Sequence, residues 1–325
     1  MKTIGFLGSD KNAGKTTVLR FIANRLRSEG HQLILCSIGI NGEAHDSYEG
    51  TSKPEIQVEK GDLFVTSPNN LLGSIGTYQI LYRLEPPEFP KSYCICRALM
   101  PTNIVLEGPN SRTTLSRMKA IIGGLITGPC FLLLDGSIDR QFMGHPALCD
   151  SFYFSLLITN RVSQQTKAQQ LLRPLQLPVA NDRTHAYITK YLCEETRYML
   201  FTHEGKLLHH GFDPPFMDPS LKASLTQFPN QIVVLYLAGA LTKGLSDFLS
   251  PFKRLTIILD NFTQYLRVFV QDKNRQFHPR LELLHPFTLR GIFLKEDGSN
   301  KLSLPSGIPV FNLFREDHHA IRIPH

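Results

Sequence analysis

Three observations predict an α/β fold, a mostly parallel sheet flanked by helices, with a further α/β segment towards the C-terminus. First, short apolar runs alternate with amphipathic stretches at about twenty-five residues per repeat, as expected of parallel strands joined by right-handed helical crossovers. Second, a glycine-rich turn separates the first apolar run from the first amphipathic stretch. Third, two later apolar runs each end in a carboxylate followed by glycine, Leu106-Glu107-Gly108 and Leu134-Asp135-Gly136. With 325 residues, 42% of them hydrophobic, the chain can bury a large core. We divide it into residues 1–180 and a segment 181–325.

Taken in order, Thr3 to Leu7 reads as a buried strand, and Thr17 to Glu29 as a helix with Val18, Phe21, Ile22 and Leu26 on one face and a stop at Gly30. Between them lies Gly8-Ser9-Asp10-Lys11-Asn12-Ala13-Gly14-Lys15-Thr16-Thr17. Its Gly14-Lys15-Thr16 ending follows the pattern G-x-x-x-x-G-K-[ST], although the segment from Gly8 to Gly14 is one residue longer. Glycines let such a loop curl until its N–H groups converge on phosphate oxygens, at the positive end of the following helix. Residues Lys11, Asn12, Ala13, Gly14, Lys15, Thr16 and Thr17 are thus predicted to bind a nucleotide. In the catalytic role, Lys15 reaches the β and γ phosphates. The Thr16 hydroxyl ligates Mg²⁺ and Thr17 faces the α phosphate. The implied cofactors are ATP and Mg²⁺. A P-loop NTPase is the matching fold for residues 1–180.

Gln32 to Ile38 is the second predicted strand. The polar stretch Glu43 to Glu59 follows a strand's carboxyl end, where open α/β sheets bind ligands. It reads either as a loop over the phosphates bearing Asp46 or as a plain surface loop. Leu63 to Thr66 is a strand and Leu71 to Leu81 a helix. The run Asn103 to Pro109 reads as a strand ending in Glu107, Arg112 to Ile122 as a helix, and Cys130 to Gly136 as a strand ending in Asp135. In a parallel sheet both acids share the edge of the glycine loop, so each is a candidate Mg²⁺ ligand, and Asp135 a candidate catalytic residue that orients water. A turn or helix-cap role is the alternative for each.

Phe152 to Ile158 is a strand, Thr159-Asn160-Arg161 just beyond it reads as a polar turn or, with Asn160, as a base or phosphate contact, and Gln164 to Arg173 is a helix. Pro174, Pro178 and Asn181-Asp182 mark a boundary or a long connection. Beyond it, Tyr198 to Thr202 and Leu207-Leu208 form a hairpin about Glu204-Gly205, with His203, His209 and His210 on its surface. Ile232 to Ala238 and Leu255 to Leu259 are parallel strands either side of the helix Leu241 to Leu249. Arg267 to Val270, Gly291 to Leu294 and Val310 to Leu313 complete this second α/β segment, which carries no catalytic motif.

Composition narrows the function classes. No segment reaches the run of about eighteen apolar residues that a membrane helix needs, and the apolar start is too short for a signal peptide, so no membrane role and a cytoplasmic location are expected. The net charge of +7 comes from dispersed Lys and Arg rather than a basic patch interleaved with aromatics, which argues against nucleic acid as partner. The six cysteines are scattered without zinc spacing.

Two resemblances rest on these residues. The glycine loop, with Leu106-Glu107-Gly108, resembles the phosphate loop and the Val-Glu-Gly-type motif of dethiobiotin synthetase, a member of the P-loop class that includes the Min-type and signal-recognition ATPases and GTPases. It departs where that enzyme has a lysine after its second strand, since Ser37-Ile38-Gly39-Ile40 offers none. Asp10 stands where the Min-type subgroup has its signature lysine.

The chain is more similar to the reactivating-factor ATPases of adenosylcobalamin-dependent lysine 5,6-aminomutase. The similarity rests on Lys11 to Thr17, Ser37-Ile38-Gly39 with Gly42-Glu43, Gly50-Thr51-Ser52-Lys53-Pro54, and Leu134-Asp135-Gly136-Ser137-Ile138-Asp139-Arg140. This resemblance implies an ATPase that reactivates or remodels a cobalamin-dependent aminomutase, with a second reactivase subunit as a further partner and residues 181–325 as the partner-binding region. The alternatives are an ATP-dependent ligase like dethiobiotin synthetase and a nucleotide-dependent switch that binds a partner protein. ATP is not distinguished from GTP by these motifs.

Overall fold

A computed structural model describes residues 1–10, 12–38, 56–136, 148–227, 231–265, 277–297 and 304–312. It has two compact units. One comprises Met1–Gln165, Thr288–Lys301 and Gly307–His325, and the other Thr166–Phe287 and Leu302–Ser306.

The first unit runs β1 (Lys2–Gly8), α1 (Lys15–Ser28), β2 (Gln32–Ser37), β3 (Ile56–Val58), β4 (Leu63–Thr66), β5 (Tyr78–Leu84), β6 (Tyr93–Ala98), β7 (Thr102–Ile104), α2 (Arg112–Leu125), β8 (Cys130–Asp135), β9 (Ser151–Thr159) and α3 (Val162–Leu172). The second unit takes over within α3. It contains α4 (Asp182–Tyr191), β10 (Tyr198–Thr202), β11 (Leu207–Gly211), α5 (Pro219–Gln227), β12 (Val233–Leu237), α6 (Lys243–Leu249), β13 (Leu255–Leu259) and β14 (Arg280–Leu283). The chain then returns to the first unit for β15 (Leu289–Asp297) and β16 (Val310–Phe311).

Among the described residues the first unit is built on a nine-stranded sheet ordered β16-β15-β9-β1-β8-β2-β4-β6-β5. Every pairing from β16 to β4 is parallel, and only β6 runs against its neighbours. The central strands β1, β2 and β8 are almost continuously apolar and buried, as parallel strands covered on both faces must be. α1 lays Val18, Leu19, Ile22, Ala23 and Leu26 into this core. It stops at Gly30, whose φ of 80° is a left-handed conformation that glycine adopts without strain. The second unit has its own five-stranded sheet, β11-β10-β12-β13-β14, parallel from β12 to β14 and antiparallel at the β10–β11 hairpin. Segments near the two ends of Thr166–Phe287 are bonded together, Leu283 N–H donating to Pro178 O at 2.8 Å and Ala180 N–H to Leu283 O at 2.8 Å.

Several expectations need correction. Leu71 to Leu81 is not a helix: a 3₁₀ turn covers Pro68–Ser74, Gly76 at φ 89° ends it, and β5 follows. The β-branched and aromatic residues from Tyr78 onward prefer the pleat once the glycines have broken the turn. Asn103 to Pro109 is not a strand of the parallel sheet. Only Thr102–Ile104 is extended, and it pairs antiparallel with β3. Asn181-Asp182 does not begin a long connection but starts α4, the Asn181 side chain accepting from Thr184 N–H at 2.9 Å. Turn-forming and N-capping chemistry are the same chemistry, so this residue pair reads both ways.

Gly291 to Leu294 and Val310 join the first sheet rather than the second unit. An aromatic ladder explains the placement: Phe6 meets Tyr153 at 5.8 Å, Tyr153 meets Phe293 at 5.6 Å, and Phe293 meets Phe311 at 5.1 Å between centroids. Lys11, Asp46, residues 137–140 and 267–270, Leu313, Gly42-Glu43 and the Gly50 to Pro54 motif lie outside the described residues. No described helix is long and apolar enough to cross a membrane.

Candidate functional site

The site begins where β1 ends at Gly8 and α1 begins at Lys15. Gly14 precedes the helix at φ 89°, ψ 14°, and Asn12 is also left-handed at φ 63°, which asparagine tolerates better than most residues. These two bends curl the chain, and Ala13 N–H closes back on Asp10 O at 3.3 Å. Gly8 is needed for space. A Cβ there would lie 2.6 Å from Lys15 Cγ and 2.8 Å from its Cδ, so the bare backbone is the bed on which Lys15 folds back over the loop. The Lys15 ammonium then contacts Asp10 O at 3.4 Å.

Ser9 stands where G-x-x-x-x-G-K-[ST] has its first glycine, and the structure accounts for the exchange. Ser9 is buried and turned into the sheet, its Oγ accepting from Leu157 N–H at 2.9 Å while its own N–H donates to Ser155 O at 2.9 Å. The Ser155 hydroxyl in turn donates to Ala13 O. Two strands therefore hold the loop from below, because on the far side of β9 the register sets Lys295 of β15 beside Leu157, and Lys295 Nζ donates to Asn12 O at 3.1 Å. Ser155 and Lys295 are the residues that reading the sequence missed. Ser155, in an otherwise apolar strand, was a legible signal; Lys295, distant in sequence, was not.

β8 lies between β1 and β2, and its last residue, Asp135, registers against Phe6 on one side and Ser37 on the other. Asp135 is buried, and its Oδ1 has no hydrogen-bond partner among the described residues. Burial pushes its pKa up to about 6, against the opposing pull of the Lys15 ammonium and the Gly136 N–H. A buried carboxylate oxygen with an open lone pair, within electrostatic reach of an ammonium, is what a cation or a positioned water would complete. Thr16, the second residue of α1 and next to Lys15 in sequence, is half-buried; Thr17 and Asn12 are exposed.

Glu107 reaches the same edge by another route. Its segment crosses the strand ends, Glu107 N–H donating to Val65 O at 3.0 Å, and Gly108 packs against Ser37, the neighbour of Asp135. Its carboxylate is already engaged: Oε1 pairs with Lys91 and Oε2 accepts from Asn70 Nδ2 at 3.0 Å. The structure thus brings Lys15 and Asp135 into electrostatic contact and Glu107 to an adjacent strand end, with different chemistry at the two acids.

The crossing is tight. A Cβ on Gly108 would lie 2.6 Å from Ser37 O and 2.5 Å from Cys36 Sγ, so Gly108→Ala must move backbone. We expect it to lower unfolding free energy by about 2 kcal/mol, as a drop in the denaturant midpoint at unchanged slope.

In the second unit, His209 Nε2 lies 3.1 Å from both Asp218 Oδ2 and Ser220 Oγ, and Tyr198 donates to the same carboxylate. Acid and hydroxyl meet the same ring nitrogen, whereas a Ser-His-Asp relay needs them on opposite ones, so the arrangement is a structural network.

No family model matches the chain, and no curated protein does. Among solved structures it is similar to the MinC:MinD cell division protein complex of Aquifex aeolicus, at 14% identity and a TM-score of 0.29, over 54% of this chain and 63% of that one. The chain thus spans less than two thirds of that structure's chain, a likeness too slight to bear on the chemistry of the site.

Proposed function

We propose that this protein binds ATP with Mg²⁺ over residues 8–16, hydrolyses it, and uses the cycle to act on a partner protein. The observation that carries the reading is the Asp135 carboxylate, buried with an open lone pair and set against the Lys15 ammonium at the end of a glycine-bent loop. Lys15 would neutralise charge on the β and γ phosphates, and the loop N–H groups up to Thr16 would cradle them. The Thr16 hydroxyl and Asp135 would hold Mg²⁺, with Glu107 as a further candidate ligand on the adjacent strand end. When bound, the metal supplies positive charge at the phosphoryl oxygens. Asp135, with a pKa of about 6, is mostly ionised at neutral pH and so competent as a ligand.

The partner half of the reading is supported by the second unit. Phe212, Phe216 and Met217, in the connection between β11 and α5, are 54%, 62% and 66% exposed, a concentration of large apolar side chains that marks a protein contact. The client suggested by the sequence resemblance is an adenosylcobalamin-dependent aminomutase, which the ATP-bound state would hold open while a damaged cofactor leaves. Shifting a closed client from 1:99 to 99:1 takes about 5.5 kcal/mol of differential affinity. The experiment is to mix the purified protein with inactivated aminomutase, ATP, Mg²⁺ and fresh adenosylcobalamin. Recovery of activity with ATP turnover is expected. Turnover without binding or rescue would remove the client, and no ATP binding at all would remove the whole reading.

A further inference from the structure

We propose that Lys295 is a second phosphate-binding cation of this site, delivered to the loop by a strand that follows Thr166–Phe287 of the second unit in sequence. The inference rests on the nucleotide reading above and adds a residue to it. Lys295 belongs to β15, which pairs in parallel with β9, and the register places it next to Leu157, whose N–H is held by Ser9 Oγ. From there its side chain crosses to the loop crest, and its ammonium donates to the backbone carbonyl of Asn12 at 3.1 Å, three residues before Lys15.

A neutral carbonyl is a modest acceptor for an ammonium, and Lys295 is half-exposed on a four-carbon stem. A phosphate oxygen arriving over the loop offers a full charge and a stronger, shorter hydrogen bond, so the ammonium exchanges the carbonyl for the phosphate by rotating about its own side chain. Since Lys15 addresses the β and γ phosphates from the helix side, Lys295 would meet the same two groups from the opposite rim.

The competing possibility is a purely structural tether that keeps Asn12 in its left-handed bend. The two differ in how the effect scales with the number of phosphates. Binding of ATP, ADP and AMP to the full-length wild type, Lys295→Met and Lys295→Arg should be measured by calorimetry, together with the melting temperature of each free protein. For Lys295→Met we expect ATP affinity to fall about tenfold, ADP affinity somewhat less and AMP affinity by less than about twofold, with Lys295→Arg recovering most of the loss. Salt should weaken ATP binding less steeply in Lys295→Met than in the wild type. Unchanged ATP affinity, or an equal loss for all three nucleotides, would overturn the assignment and leave Lys295 a tether. A wild-type protein that binds none of the three would defeat the nucleotide reading itself, an outcome distinct from the other two.

Discussion

Replacing Lys15 with alanine is expected to reduce ATP turnover by a factor of about a hundred or more and to weaken ATP binding with it. The developing charge on the transferred phosphoryl group would lose its fixed counter-charge, and removing one such preorganised contact costs about 3 kcal/mol or more in the barrier. Alanine also leaves the bed above Gly8 vacant. A second consequence follows within the protein. The Lys15 ammonium opposes the upward push of burial on Asp135, so without it the acid's pKa should rise above its value of about 6. Lys15→Ala should therefore need a higher pH, as well as more Mg²⁺, for what activity remains. Steady-state hydrolysis across pH and Mg²⁺ concentration, with binding followed by a fluorescent ATP analogue, tests both. Wild-type affinity and turnover in this variant would end the nucleotide assignment.

Asp135→Asn is expected to separate stability from activity. Its folded pKa is raised from 3.8 to about 6, so the folded state favours the neutral acid. Relative to the unfolded chain, the favourable contribution is complete below about pH 4 and is lost as pH rises through about 6. Above that, burying the charged form costs about 3 kcal/mol. Asparagine has nearly the same shape and no charge to bury. The free variant should therefore melt above the wild type at pH 8 and close to it at pH 4, while its Mg²⁺-dependent turnover falls about a hundredfold. Melting at the two pH values and a Mg²⁺ titration of activity give the answer. A variant that melts lower at pH 8 and hydrolyses ATP normally would make Asp135 a strand-end turn residue.

The candidate site's edge was legible because its signals are local. Gly14-Lys15-Thr16 lies at one turn between one strand and one helix, and Leu134-Asp135 ends an apolar run whose register alone carries it beside β1. Glu107 gave an equally clear local signal. It differs from Asp135 through Lys91 and Asn70, which are distant in sequence and reach its two oxygens only through the fold. β15 could not be assigned to the correct sheet for the same reason. Leu289 to Leu294 is apolar enough for either sheet, and the choice is made by contacts among Tyr153, Phe293 and Phe311. The helix predicted over Leu71 to Leu81 is broken within Gly73 to Gly76, where Gly76 takes a left-handed turn.

The bonds joining Pro178 and Ala180 to Leu283 also bear on how the protein assembles during synthesis. β9 emerges from the ribosome before residues 160–288, and its partner β15 only after them. An open chain of that length would have to be brought back by diffusion, and each doubling of such a loop adds about 0.6 kcal/mol to its closure. If the second unit folds first as it emerges, the Pro178–Leu283 closure has already brought its two ends together, and β15 has only a short distance to travel to β9. The loop of residues 8–16 is made almost at once, yet Lys295, which donates to Asn12 O, is among the last groups to arrive. A ribosome-bound chain short of residue 295 therefore lacks the bond from Lys295 to Asn12, which can form only after everything inserted between β9 and β15 has been built.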